Sequence, residues 1–178
     1  MNLPNKLSIT RMALIPVMVA LMHPDTPVCR VLSALVFAAA ACTDFLDGHI
    51  ARKHHIVTDF GKFIDPVADK LLVLSALIML IQHGVMPAWV VVVILARELC
   101  VDGLRMVAVG QGRVIAAGRL GKIKTVSQIA LILWMILSHQ PALRHPVSII
   151  LTVWVLVMTL WSGADYFVRN GSCLRDIK

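Results

Sequence analysis

The chain has 178 residues, 58% of them hydrophobic and 6% aromatic, with a formal net charge of +7 and a mean hydropathy of +0.82. Soluble domains average roughly 45–50% apolar residues, so a water-soluble globule and a disordered tail are both excluded. The composition is that of an all-α integral membrane protein, read as a single domain over residues 1–178, and its positive charge is first a topology signal.

The N-terminal stretch MNLPNKLSITRMALIPVMVALM has basic residues followed by an apolar run, the outline of a signal peptide. His23-Pro24-Asp25 follows it in place of a small-residue cleavage site, so it is read as a retained first span. Six apolar segments are predicted as transmembrane helices, at 7–22, 30–50, 63–83, 86–109, 122–139 and 146–168. The first is short, and Lys6 and Arg11 are expected to snorkel towards its end. The breaks are His23-Pro24-Asp25, the basic stretch 52–62, His83-Gly84, the stretch Gly110 to Gly121, and Gln140 to Pro146.

The charges orient this bundle. Lys6, Arg11, Arg52, Lys53, Lys62, Lys70, Arg97, Arg105, Arg113, Arg119, Lys122, Lys124, Arg169, Arg175 and Lys178 fall on one side, and Arg30 and Arg144 on the other. The positive-inside rule then places both termini in the cytoplasm. Every Asp and Glu except Asp25 maps to that same half, so a polar metal site facing the cytoplasm is expected. The four cysteines, Cys29, Cys42, Cys100 and Cys173, show no C-x-x-C spacing and are read as reduced and structural.

The chemistry concentrates in Asp44 to Asp69. A carboxylate at the centre of a membrane helix costs ~2.5–3.5 kcal/mol on insertion scales, so four of them call for positive charge between them. Asp44 and Asp47 are three apart and share a helix face, which Gly48, Ala51 and Arg52 continue. Asp65 and Asp69 are four apart on the next segment. Two antiparallel helices would bring the pairs together. Four carboxylates offer enough hard oxygen ligands for two divalent cations, Mg²⁺ or its close competitor Mn²⁺. Two such ions clamp a diphosphate for in-line displacement. Gly48 and Ala51 leave room for a ligand near the backbone, and Arg52 suits a phosphate or a base edge. Pairing of the acids with nearby bases is the plainer alternative, as is a topological role for the bases. His54 and His55 are adjacent, so on a helix they point apart, and the aspartates suffice without them.

The pattern Asp44-x2-Asp47-Gly48-x2-Ala51-Arg52-x8-Gly61-x3-Asp65-x3-Asp69 resembles the full signature of the CDP-alcohol phosphotransferases. The opening Pro4-Asn5-Lys6-Leu7-Ser8-Ile9-Thr10-Arg11 and the six spans also resemble that family, over nearly the whole chain. The resemblance implies displacement of CMP from a CDP-linked lipid by an alcohol. It implies metal at Asp44, Asp47, Asp65 and Asp69, with Asp69 also the general base. It implies contacts to the CDP moiety from Gly48, Arg52 and Thr58, with Asn5 and Ser8 bordering the nucleotide. It further implies a homodimer, and a bacterial inner-membrane setting.

The acceptor is read from the later segments. Arg97 and Arg105 lie eight apart, near one helix face, with Glu98 and Asp102 on a neighbouring face. Segment five opens Gly118-Arg119-Leu120-Gly121-Lys122-Ile123-Lys124-Thr125. Bases so placed suit a phosphate on the acceptor, Arg105 and Lys122 first, then Lys124, Arg119 and Arg97, with a hydroxyl from Ser162. Arg97 pairing with Glu98 or Asp102 is the alternative. The Ala-Arg-Glu…Gly-Leu-Arg, Gly-Lys-Ile-Lys-Thr and Trp-Ser-Gly-Ala-Asp-Tyr-Phe stretches resemble the bacterial phosphatidylglycerophosphate synthase branch, which implies CDP-diacylglycerol as donor and sn-glycerol 3-phosphate as acceptor. Sister acceptors (inositol phosphate, phosphatidylglycerol, serine) share the aspartate signature. A membrane prenyl transferase would need a different spacing. A divalent-cation transporter would need polar residues through the full depth, where Val90–Leu95 and Leu131–Leu137 are apolar.

Overall fold

The computed structural model describes the backbone of residues 3–54, 59–111 and 118–171, and the side chains of 8–43, 67–111, 118 and 120–171. Six helices follow one another: α1 (Leu3–Met22), α2 (Pro27–His54), α3 (Asp59–Gln82), α4 (Ala88–Gly110), α5 (Arg119–Ser138) and α6 (Pro146–Asn170). Each covers one apolar segment of the sequence. Among the described residues, two helices, Leu120–Ser138 and Pro146–Asn170, are long and apolar enough to cross a membrane, while Ser8–Met22 and Pro27–Thr43 are shorter apolar stretches. At about 1.5 Å per residue a span needs about 20 residues. The helices overrun the apolar runs because polar residues continue the same hydrogen-bonded ladder. Thus α2 carries on through Asp-Gly-His-Ile-Ala-Arg-Lys-His. Pro66 falls inside α3, eight residues in, beyond the first turn where it would be harmless.

The chain forms two compact units. The first holds 1–85 with 132–139, and in it α1 packs on α2 and α3. Its core is built from Met18, Phe37, Leu72, Leu77 and Leu80, all essentially inaccessible. Ala40, Ala68 and Ala76 are fully enclosed, and such small side chains let backbones approach closely. Arg11 is also fully enclosed, which corrects the expectation that it snorkels. Its long stem and head are covered by neighbouring helices rather than drawn to an interface.

One end of this unit is tied by its turns. Asp25 accepts from Arg30 Nε at 2.9 Å and lies 3.2 Å from His139 Nε2, while His83 Nε2 sits 3.1 Å from the carbonyl of Met22. Asp25 and His139 both have positive φ, 50° and 51°, a conformation that Asp and His tolerate better than most residues. Gly84, at φ 67°, closes the turn after α3, where a side chain would be strained.

The second unit holds 86–131 with 140–178. Here α4 packs on α6. The buried positions of α4 are Val90, Val91, Ile94, Val101, Leu104 and Ala108. Val101, Leu104 and Ala108 form a core with Tyr166, and Phe167 packs against it. Along α6 the buried residues include Ser148, Thr152, Val155, Thr159, Ser162 and Tyr166, stepping by three and four. Its exposed stripe is Ile150, Val153, Trp154, Val157, Leu160 and Trp161. This is the reverse of a water-soluble amphipathic helix, with hydroxyls inside and apolar groups outside.

Candidate active site

The aspartates fall where two neighbouring helices carry them. Asp44 and Asp47 lie on α2, Asp65 and Asp69 on α3, and α2 and α3 pack together within the first unit. Asp69 is half-buried. The side chains of Asn5, Asp44, Asp47, Arg52 and Asp65, the surroundings of Gly48, and the whole of Thr58 lie outside the described residues. Among the described residues no group of three His, Cys, Asp or Glu is placed to hold a metal ion. Near the start of α1, Ser8 is 1% exposed, three residues before the enclosed Arg11.

The second unit gathers cations in its interior. The apolar stripe of α4 runs 90, 94, 101, 104 and 108, and the position that completes its three-four spacing, 97, is arginine. Arg97 therefore projects towards the partners of that stripe. Its Nη2 donates to Ser162 Oγ on α6 at 3.0 Å, and its Nη1 to Glu98 Oε1 at 3.0 Å. Ser162 Oγ donates onward to the carbonyl of Thr159 at 3.2 Å. Arg97 Nε is buried with no hydrogen-bond partner among the described residues.

Lys124, on α5, is only 3% exposed, and its Nζ lies 2.5 Å from the same Glu98 oxygen. Lys122, two residues earlier and so on another face, is exposed. One turn beyond Lys124, Gln128 is 2% exposed, its amide nitrogen without a partner among the described residues. Arg105 donates from Nε to Tyr166 Oη at 3.0 Å, its guanidinium 5.5 Å from the centre of that ring.

Of the predicted acceptor residues, the structure thus brings Lys124 and Ser162 into one network through Arg97 and Glu98. It sets Arg105 beside Tyr166, and Lys122 at the surface. The alternative of Arg97 pairing with Glu98 is what the structure shows, while Gln128 carries no signal for the site in the sequence and Tyr166 only its place in the Trp-Ser-Gly-Ala-Asp-Tyr-Phe stretch. Arg97 was legible as the one charged residue in an apolar three-four register. Chemically, a half-neutralised pair of cations, with Arg97 Nε unpartnered among the described residues, is suited to a small oxyanion. The bridging carboxylate keeps that pair from being an uncompensated buried charge.

Comparison with known proteins decides the family. Residues 1–161 match CDP-alcohol phosphatidyltransferase. The chain belongs to the CDP-alcohol phosphatidyltransferase family. Among its relatives in that family is the CDP-diacylglycerol--glycerol-3-phosphate 3-phosphatidyltransferase of Bacillus subtilis (strain 168), 44% identical over 98% of this chain and 97% of the relative. The Rickettsia bellii protein of the same name is 37% identical, covering 93% of each. A probable phosphatidylglycerophosphate synthase of Mycobacterium tuberculosis (strain ATCC 25618 / H37Rv) is 39% identical over 99% of this chain and 83% of its own length. The family match contains all four aspartates and ends one residue before Ser162, whereas the relatives run on through α6.

Proposed function

We propose that this chain transfers the phosphatidyl group of CDP-diacylglycerol to sn-glycerol 3-phosphate, giving phosphatidylglycerophosphate and CMP. The observation that carries this reading is full-length similarity, at 44% identity, to a protein named for that reaction. The cation network of the second unit supports a phosphorylated acceptor over serine. The prenyl-transferase and transporter readings give way to the family match. The apolar segments are not wholly apolar inside, since Ser33, Ser148 and Thr152 are buried within them.

Residues 1–178 act as one domain. Asp44, Asp47, Asp65 and Asp69 hold divalent metal, with Mg²⁺ the first choice, Mn²⁺ the competitor, and two ions expected. Their oxygen-only donor set and their pairing on two packed helices fit such an ion. Bound metal supplies charge neutralisation at the diphosphate. Gly48, Arg52, Thr58, Asn5 and Ser8 hold the CDP moiety. Asp69 takes the proton of the acceptor hydroxyl as that oxygen attacks the phosphorus bearing the diacylglycerol, and the bond to CMP breaks. Arg105, Lys122, Lys124 and Ser162, with Arg97, hold the acceptor phosphate. The six helices span a bacterial inner membrane with both termini and the active site on the cytoplasmic side, and the chain works as a homodimer. The inside-out pattern of α6 supports the membrane setting.

CMP release by the purified protein in detergent, with CDP-diacylglycerol, Mg²⁺ and one acceptor at a time, tests the reading. Release with sn-glycerol 3-phosphate alone is expected. Release only with serine, inositol phosphate or phosphatidylglycerol would overturn the acceptor and keep the class.

A further inference from the structure

We propose that Glu98 is a positioning residue for acceptor binding, holding Arg97 and Lys124 in a fixed arrangement that presents the unused donors of Arg97 to the acceptor phosphate. The proposal rests on the acceptor reading above. A carboxylate beside an anion site is, by charge alone, a liability. Its presence needs a compensating role, and its contacts supply one.

A single oxygen, Oε1, receives both Lys124 Nζ at 2.5 Å and Arg97 Nη1 at 3.0 Å. Lys124 is almost wholly enclosed, and a buried ammonium without a counter-ion is severely penalised. Arg97 is gripped at its other nitrogen by Ser162 Oγ at 3.0 Å. Its stem is confined by α6, because a Cβ added at Gly163 would lie 3.1 Å from Arg97 Cγ. The guanidinium is therefore held at one nitrogen by α4's own carboxylate and at the other by a hydroxyl of α6. Its Nε is buried and unpartnered among the described residues. The trio of Arg97, Lys124 and Glu98 has two positive charges and one negative, so it remains attractive to a phosphate. Without Glu98 the two cations repel each other, and Arg97 loses one end of its grip.

Positioning and bare charge predict opposite signs. Removing a nearby negative charge should tighten binding of an anionic acceptor, whereas losing a positioning contact should weaken it. The test is steady-state CMP release by the full chain in detergent with CDP-diacylglycerol and Mg²⁺, varying sn-glycerol 3-phosphate. Glu98→Gln is expected to raise the KM for sn-glycerol 3-phosphate about tenfold, the scale of a lost charge-assisted hydrogen bond. The KM for CDP-diacylglycerol is expected to stay within about twofold. Glu98→Asp keeps the charge and protects the fold, and is expected to show an intermediate rise. An acceptor KM that is unchanged or lowered in both variants overturns the proposal, as does an equal rise in both KM values. Wild-type protein that releases no CMP with sn-glycerol 3-phosphate removes the acceptor reading itself, and the proposal with it.

Discussion

Replacing Gly163 by alanine separates stability from acceptor binding. A helix-interior glycine is less favourable than alanine by ~1 kcal/mol, so the change should support α6. Against this, the new Cβ would stand 3.1 Å from Arg97 Cγ, short of the ~3.5–4.0 Å at which carbon atoms rest. Arg97 must give by a few tenths of an ångström, and its stem is flexible enough to do so without unfolding anything. The displacement falls on two 3.0 Å hydrogen bonds, to Glu98 and Ser162, and leaves both near the limit of useful geometry. Weakening them by a total of about 1 kcal/mol corresponds to about a fivefold higher KM for sn-glycerol 3-phosphate. The assay is CMP release against acceptor concentration, run beside a thermal melt in the same detergent. The expected result is a raised acceptor KM with a melting temperature equal to or above wild type. An unchanged KM, or a melting temperature several degrees lower, would refute the account of Arg97 as a confined ligand.

Asp69→Asn should reduce turnover by at least about a hundredfold, the low end for a general base, while CDP-lipid binding persists; near-normal turnover would remove Asp69 from that role. Arg105→Ala should raise the KM for sn-glycerol 3-phosphate about tenfold and that for CDP-diacylglycerol far less; equal changes would place Arg105 outside the acceptor site. His139, one residue past α5, is held below the usual imidazole range by burial, with Arg30 and His83 adding to the effect and Asp25 opposing it. The folded chain then binds fewer protons than the unfolded one, so this contribution is complete above the unfolded pKa of about 6.5 and is lost as pH falls towards the folded value. Thermal midpoints at about pH 7.5 and about pH 5.5 should therefore fall on acidification, and fall less in His139→Asn; identical drops would show that other groups set the dependence.

The number and order of helices were legible because each is an apolar run closed by Gly, Pro or charge. Their ends were not, since α1 starts at Leu3 and α2 runs to His54 through polar residues that hydropathy passes over. The aspartate pairs were legible by spacing, which local helix geometry fixes. The Arg97–Glu98 pair was harder to read. Neighbours in a helix do not face each other, and here they meet because Ser162 and Lys124 draw on the same groups from other helices. Nor does sequence alone separate Lys122 from Lys124. Two residues apart on a helix, they point about 200° apart, and only packing shows that Lys124 is the one turned inside. Arg11 shows the same gap, because hydropathy treats a buried arginine and a snorkelling one alike.

The inside-out pattern of α6 bears on how the protein is made. In a bilayer, the outer stripe of Ile150, Val153, Val157 and Leu160 favours insertion of α6, while Ser162 gains its partner Arg97 only when α4 arrives. On the membrane setting proposed above, biogenesis is thereby split between two faces of one helix. Charge introduced on the outer stripe should leave α6 stranded outside the membrane. Loss of the Ser162 hydroxyl, which accepts from Arg97 of α4, should yield a chain that inserts normally yet assembles more loosely, the kind of product that reaches its address and is then degraded.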